Sequence, residues 1–139
     1  MDYFNKANKV SKQSDSNSVP SLVVELLDAA TKTHILHLKV RGDASYAQHK
    51  ALNEIYDALP GLADGIAESW QGATQSIPNY PNAKAPDLDN VSDAINYLTS
   101  LKSKIDRIQK KIEYSEIVND LDVIKTQINS TVYKLKFLG

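Results

Sequence analysis

The feature of this sequence that most restricts its fold is the helical spacing of apolar residues in its C-terminal half. Residues 89–113 and 115–137 each place an apolar residue at every third or fourth position, which is the period of one face of an α-helix. Neither segment alternates as a half-buried strand does. We interpret both stripes as core-facing helix sides. Their members are Val91, Ala94, Ile95, Leu98, Leu101, Ile105, Ile108 and Ile112 in the first segment, and Ile117, Leu121, Ile124, Ile128, Val132 and Leu135 in the second.

The N-terminal half contains two further segments with the same period. Pro20 suits the first turn of a helix, and we predict a helix from about 20 to 40. Gly42 is expected at the C′ position that ends it. The pattern Ser45-x-x-Gln48 is typical of a capping box, so a second helix is predicted from about 45 to 71.

Prolines mark the interruptions of the helical pattern. Pro60 lies inside the second helix and predicts a kink near Asp57, because an interior proline removes one backbone hydrogen bond. Residues 72–86 hold three prolines and no period, which predicts a long loop before the third helix. Asp87 or Asp89 is expected to cap the third helix, and Ser115 the fourth.

These segments predict an all-α protein, a four-helix bundle with a long crossover loop between its second and third helices. A length of 139 residues suits one domain with a single core. We expect residues 1–19 to form a flexible N-terminal tail and residues 20–139 to form the bundle.

Charge and composition exclude several classes of function. The net charge of −1 predicts weak or absent DNA binding, because no basic surface attracts phosphate. The absence of cysteine excludes disulfides, thiolate metal sites and thiol catalysis. No apolar run approaches the ~20 residues of a membrane span, and no signal-peptide core is present. We therefore expect no membrane association and a soluble protein, located in the cytoplasm or carried in a virion.

Two histidines flank the predicted corner at residues 41–44. His37 and His49 lie twelve residues apart, near the end of one predicted helix and the start of the next. Because a short corner places these turns side by side, we predict that both imidazoles reach one metal ion. Iron, manganese and zinc accept imidazole and carboxylate ligands. His34 lies one turn before His37, and we interpret it as a core histidine rather than a ligand.

Two acids follow on the helix that carries His49. Asp64 and Glu68 are spaced i,i+4, and Asp64 lies roughly 22 Å along the helix from His49 at 1.5 Å per residue. Metal–ligand bonds are about 2.0–2.2 Å long, so one chain cannot bring all four side chains together. A second copy related by a two-fold axis can, and it creates two identical shared sites. A complete break at Pro60 with a fold-back would instead close the site within one chain.

This arrangement carries a resemblance to a known family. The pattern H-x11-H, an acid fifteen residues later and Glu four residues after it resembles the ferroxidase signature of the Dps-like mini-ferritins. LHLKVRG is also similar to their LHW-N-V-x-G corner. The resemblance covers residues 21–71 and implies a ferritin-like four-helix subunit in a ring or dodecameric shell. By position it implies His37, His49, Asp64 and Glu68 as metal ligands. Asn53 stands where that family has a second acid, and Leu38 where it has tryptophan.

The resemblance implies Fe(II) oxidation by oxygen or peroxide at di-iron sites shared between two-fold partners, and a role in oxidative stress. Manganese or zinc could substitute for iron. His37 and His49 would hold the first iron, Glu68 would bridge, Asp64 would complete the shell, and Asn53 would lie at the second position.

Two alternative hypotheses stay open. AQHKALNEIYDALPGLADGIAESWQG resembles small ferritin-like proteins carried by tailed phages. The chain could thus be a structural or assembly subunit with the same fold and a weak metal site. Alternatively, the four residues occupy these positions by chance on an ordinary helical bundle.

Overall fold

Four α-helices and no strand occur in the computed structural model, which describes residues 16–43 and 45–138. They are α1 (Val19–Lys39), α2 (Ser45–Thr74), α3 (Val91–Gln109) and α4 (Ser115–Phe137). The predicted all-α class is confirmed. Residues 1–15 of the predicted tail, residues 1–19, lie outside the described residues. α1 begins at Val19, the last residue of the predicted tail. Within the described ranges, no helix combines the length and apolar character that a bilayer span needs.

Contacts between helix ends give the directions of the helices. Trp70, near the end of α2, packs edge-on against Tyr114, just before α4, with ring centroids 5.9 Å apart. Lys134, near the end of α4, forms an ion pair with Glu54, near the start of α2. α2 and α4 are therefore antiparallel. α3 and α4 form an antiparallel hairpin, and side-chain hydrogen bonds connect the two helices.

Residues 75–90 connect α2 to α3, and residues 85–89 of this connection lie along α1. Asp28 Oδ2 accepts a hydrogen bond from the backbone N–H of Ala85 at 2.7 Å. Further along, Lys39 Nζ donates to the carbonyl oxygen of Leu88 at 3.3 Å. Because Lys39 is the last residue of α1, the connection reaches the end of α1 before α3 begins. α3 therefore runs back antiparallel to α1.

The apolar stripes of α3 and α4 face the core as predicted, and only their edge members, Val91, Ile95, Ile112 and Val132, are half-buried. A smaller group of buried residues lies beside the corner between α1 and α2, and we call it the corner cluster. It joins the end of α1 and the start of α2 to the start of α3 and the end of α4. Its members are Leu36, Val40, Ala51, Leu52, Leu88, Ala94 and Leu135.

A buried carboxylate links α1 to α3. Glu25 is 6% exposed, and its Oε1 accepts a hydrogen bond from Lys104 Nζ at 2.7 Å. Its Oε2 accepts one from the Tyr97 hydroxyl, also at 2.7 Å. Burial, together with the adjacent Glu25 carboxylate, raises the pKa of Tyr97, so its hydroxyl remains a donor. Both carboxylate oxygens therefore have donors, as a buried charge requires.

The cap of α3 differs from the prediction. Asn90, rather than Asp87 or Asp89, occupies the cap position, and its Oδ1 accepts from the backbone N–H of Asp93 at 2.8 Å. Asp93 Oδ2 in turn accepts from the backbone N–H of Asp89 at 3.0 Å. The prediction was wrong because Asn90, directly after Asp89, supplies the side-chain acceptor for the first turn of α3.

The turn between α3 and α4 also differs. α3 ends at Gln109, four residues before the predicted end, and its side chain donates to the Val118 carbonyl and to Asp122. Tyr114, rather than Ser115, occupies the cap position of α4 and makes no side-chain cap. These tertiary contacts of Gln109 and Tyr114 stabilise an earlier turn than the apolar period indicates.

α2 continues through Pro60 without a break, so the fold-back that would close a site within one chain does not occur. The helix extends three residues beyond its predicted end, to Thr74. Gln75, in the left-handed region at φ 56°, follows it. At the other corner Gly42 also has a positive φ, 105°. Because Val40 is the cap residue of α1, Arg41 occupies the C′ position predicted for Gly42, and Gly42 is the next residue.

Candidate functional site

His37 and His49 lie side by side across the corner between α1 and α2. Their Nδ1 atoms are 3.3 Å apart, and their ring centroids are 4.6 Å apart with nearly perpendicular planes. His37 Nδ1 also lies 2.9 Å from the carbonyl oxygen of His49. Since a carbonyl oxygen can only accept, His37 Nδ1 carries a hydrogen, and its Nε2 has no hydrogen-bond partner among the described residues.

The His37 arrangement is typical of a metal-binding histidine, in which one ring nitrogen donates to a backbone carbonyl and leaves the other for the metal. His49 Nδ1 is on the accepting side of the 3.3 Å contact. A cation bound by both rings therefore requires that contact to open. The backbone beneath the pair is held by Leu36 and Leu52 of the corner cluster, which have no exposed surface.

The two predicted carboxylates lie elsewhere on the chain. Asp64 and Glu68 are exposed on α2, and neither has a hydrogen bond or ion pair with another described residue. Because α2 is unbroken, Asp64 lies roughly 22 Å along the helix from His49. Within residues 16–43 and 45–138, no three His, Asp or Glu side chains are placed to hold a metal ion. One chain brings the imidazoles together but not the acids.

Some acids of the bundle have lysine partners, whereas Asp64 and Glu68 have no cation partner among the described residues. Glu54, on the same helix, pairs with a lysine of α4, and Asp28 pairs with a lysine of α1. Like charges at i,i+4 destabilise a helix by roughly 0.2–0.5 kcal/mol. α2 therefore carries a repulsive acid pair that a bound cation would stabilise.

Asn53 uses both ends of its side-chain amide within α2. Its Oδ1 accepts a hydrogen bond from the Tyr56 hydroxyl, and its Nδ2 donates to Asp57 Oδ2 at 3.1 Å. Sequence analysis selected neither Tyr56 nor Asp57. The available signal was their spacing, since residues at i+3 and i+4 are neighbours on a helix surface.

Tyr56 also contacts two histidines of α1. Its ring stacks on His34, with centroids 4.0 Å apart and planes 6° from parallel, and meets His37 edge-on at 5.3 Å. His34 is exposed, so the prediction of a core histidine was wrong. The reason is that α2 supplies an aromatic ring at the surface beside it. The structure thus gathers three imidazoles and one phenol around the corner.

A protein-family model matches residues 37–135, and its description is family of unknown function (DUF5856). The chain belongs to this family. The DUF5856 region includes all five residues predicted for the metal site, namely His37, His49, Asn53, Asp64 and Glu68. Comparison with curated proteins and with solved structures gave no match. The DUF5856 description states no activity, so function has to be inferred from the geometry of the chain.

Proposed function

We propose that the protein is a Dps-like mini-ferritin that binds Fe(II) between two copies of the chain and oxidises it there. The observation that carries this proposal is the separation of two donor halves. Paired imidazoles stand at the corner. Asp64 and Glu68, which have no partner among the described residues, lie roughly 22 Å and 28 Å along the same helix from His49. A second copy packed antiparallel along α2 about a two-fold axis brings each acid pair to the other histidine pair.

The order of the helices supports a ferritin-like subunit. Two antiparallel hairpins, α1–α2 and α3–α4, are joined by residues 75–90, whose last part lies against α1 and reaches its far end. One long crossover between two helical hairpins is the connectivity of ferritin-like bundles.

An exposed apolar stripe on α1 supports assembly. Leu27, Ile35 and Leu38 are 40%, 42% and 61% exposed, and they follow helical spacing along one side of α1, beside His34. Thr31, which is also exposed, fills the position between Leu27 and Ile35. Apolar rows of this kind are typical of surfaces buried against another chain. A two-fold contact on this face would exclude water close to the histidines. A ring or dodecameric shell is part of the proposal, and DNA binding is expected to be weak or absent.

Iron is the substrate in this proposal. His37 and His49 hold the first Fe(II), the partner's Glu68 bridges the two iron positions, and the partner's Asp64 completes the shell, with Asn53 beside the second position. Each Fe(II) gives up one electron. One hydrogen peroxide takes up two electrons and two protons to form two water molecules, so a two-iron site matches one peroxide. Oxygen is the alternative acceptor, and Mn(II) or Zn(II) could occupy the same donors.

Mixed assemblies test whether the site is shared. His49→Ala or Glu68→Ala damages every site of a dimer made from one variant. A dimer containing one copy of each variant keeps one complete site, so random 1:1 mixing should restore about one quarter of the wild-type sites. Anaerobic Fe(II) titration, followed by peroxide, counts the sites and gives the rate, while mass in solution is recorded. Among single variants, His37→Ala should be the most damaging, because its ring is the one fixed by a backbone carbonyl.

Confirmed mixed dimers without restored sites would contradict a shared site. A wild type that forms the dimer but does not oxidise Fe(II) faster than buffer would favour the second candidate, a structural or assembly subunit with the same fold. The exposed α1 stripe supports that candidate as well, because it favours assembly without metal. In both cases Leu38→Glu should dissociate the dimer. Ile77→Glu, at an exposed apolar residue of the 75–90 connection, is the matched control.

A further inference from the structure

We propose that Tyr56 sets the metal selectivity of the His37–His49 pair by stacking on His34 and keeping this third imidazole out of the coordination sphere. This inference rests on the metal site proposed above and concerns which cations that site prefers. Tyr56 acts through another side chain, so it is a positioning residue rather than a ligand.

The stack is the contact that holds His34 in place. The His34 and Tyr56 rings are nearly parallel at 4.0 Å, which is a close stacked geometry. His34 is exposed, and its ring nitrogens form no hydrogen bond with another described residue. The orientation of its imidazole therefore depends on the phenol ring and on an edge contact with His37.

His34 is close enough to His37 to become a ligand if the stack is lost. Their ring centroids are 6.2 Å apart, one helical turn along α1. Two imidazoles on one tetrahedral metal ion have centroids about 5 Å apart, given metal–nitrogen bonds of about 2.0–2.1 Å. A rotation of His34 away from Tyr56 can supply the remaining difference. His34, His37 and His49 would then form a three-imidazole site.

Tyr56 is itself held from two sides. Its hydroxyl donates to Asn53 Oδ1, one turn earlier on α2, and its half-buried ring packs against the main core. The phenol ring is therefore held in place beside His34. The stack with His34 depends on the ring more than on the hydroxyl.

The number of imidazoles changes the preferred metal. Two imidazoles with carboxylate oxygens suit Fe(II) and Mn(II), whereas three imidazoles are the ligand set of tetrahedral zinc sites and also favour Cu(II). By keeping His34 stacked, Tyr56 prevents the His37–His49 pair from becoming a three-imidazole site that binds zinc tightly. An Fe(II) site benefits from this restriction because Zn(II) and Cu(II) bind nitrogen ligands more tightly than Fe(II) does.

The test compares Zn(II) and Mn(II) affinities of the assembled full-length protein and counts nitrogen ligands by Cu(II) electron paramagnetic resonance. Tyr56→Leu removes the stacking ring while preserving apolar volume, and Tyr56→Phe keeps the ring. We expect Tyr56→Leu to raise Zn(II) affinity relative to Mn(II) by about tenfold, the upper range for loss of one aromatic contact. The bound Cu(II) should gain a third nitrogen. Tyr56→Phe should keep the wild-type ratio, and Tyr56→Leu/His34→Ala should reverse the gain.

An unchanged affinity ratio with two nitrogens in folded Tyr56→Leu would overturn the proposal, as would a gain that persists without His34. His34→Ala in the wild-type background provides a test that does not depend on how the Tyr56 variants fold. Unchanged Zn(II) affinity supports the exclusion of His34, and a loss shows that His34 is already a ligand. Failure of the wild type to bind Mn(II) and Zn(II) at the pair would contradict the proposed site itself, which is a separable result.

Discussion

Removal of Lys104 should destabilise the bundle strongly, because its partner is buried. Lys104 Nζ lies 2.7 Å from Glu25 Oε1, and the Glu25 side chain is only 8% exposed. Lys104→Ala leaves this buried carboxylate without its cation, and the Tyr97 hydroxyl is its remaining side-chain donor among the described residues. Breaking a buried pair costs about 3–5 kcal/mol. We expect about 3 kcal/mol, the lower end of that range, since Lys104 is 24% exposed and water can reach the vacated position.

Lys125 is the matched control for this change. Its Nζ lies 2.8 Å from Asp106 Oδ1 and 3.3 Å from Asp122 Oδ1, and its side chain is 20% exposed, close to the value for Lys104. Both of its partners are about half exposed, at 49% and 55%. Water can solvate these carboxylates after Lys125→Ala, so the loss of unfolding free energy should be much smaller.

Urea unfolding at pH 7, followed by far-ultraviolet circular dichroism, measures both losses. Glu25→Gln combined with Lys104→Ala should be more stable than Lys104→Ala alone, because no charge then remains buried. Equal losses for the two lysines, or a double variant no more stable than Lys104→Ala, would refute the reasoning that burial of Glu25 sets the strength of this link.

Three further predictions follow from the charges of the chain. Asn53→Asp should strengthen binding of the second cation, because it adds an anionic oxygen at that position; calorimetric titration with Mn(II) measures the change, and weaker binding would contradict it. With a net charge of −1, DNA binding should be weak and strongly salt-dependent in a mobility-shift assay. Tight binding at physiological salt that survives deletion of residues 1–19 would reveal a basic surface created by assembly. Burial acts to raise the pKa of Asp28, but hydrogen bonds from Lys32 and Ala85 and nearby lysine charges outweigh it and lower the pKa below 3.8. The Asp28 carboxylate therefore contributes stability that is present above about pH 4 and is lost as pH falls through its pKa in the folded protein. Asp28→Asn should make the free energy of unfolding, measured with urea, less dependent on pH between about pH 2 and 5.

The helices were predictable because their signals are local. Apolar residues at i, i+3 and i+4 define one helix face whatever lies opposite it. The helix ends were less predictable, because they depend on contacts made after packing. Tyr114 packs on Trp70 of another helix, and Asn90 competes with two nearby aspartates for the same cap. Neither outcome can be derived from spacing within one segment.

The candidate site was also predictable from the sequence only in part. The approach of His37 to His49 follows from one short corner between two antiparallel helices. The twelve-residue spacing of the two histidines was therefore enough to predict it. The stack of His34 on Tyr56 requires the rotation of α2 about its own axis relative to α1. That rotation is set by the buried faces of both helices, and it left His34 at the surface.

The sequence by itself determined the four helices, their apolar faces and the histidine corner, because each depends on residues within one or two turns of each other. Only the tertiary structure decided which group each polar side chain meets. It buried Glu25 with Lys104, 79 positions away, and left Asp64 and Glu68 without a partner among the described residues. The physical reason is that hydrogen bonds and ion pairs act over a few ångströms. Which groups come within that range is set by the packing of whole helices, whose energy comes mainly from apolar burial.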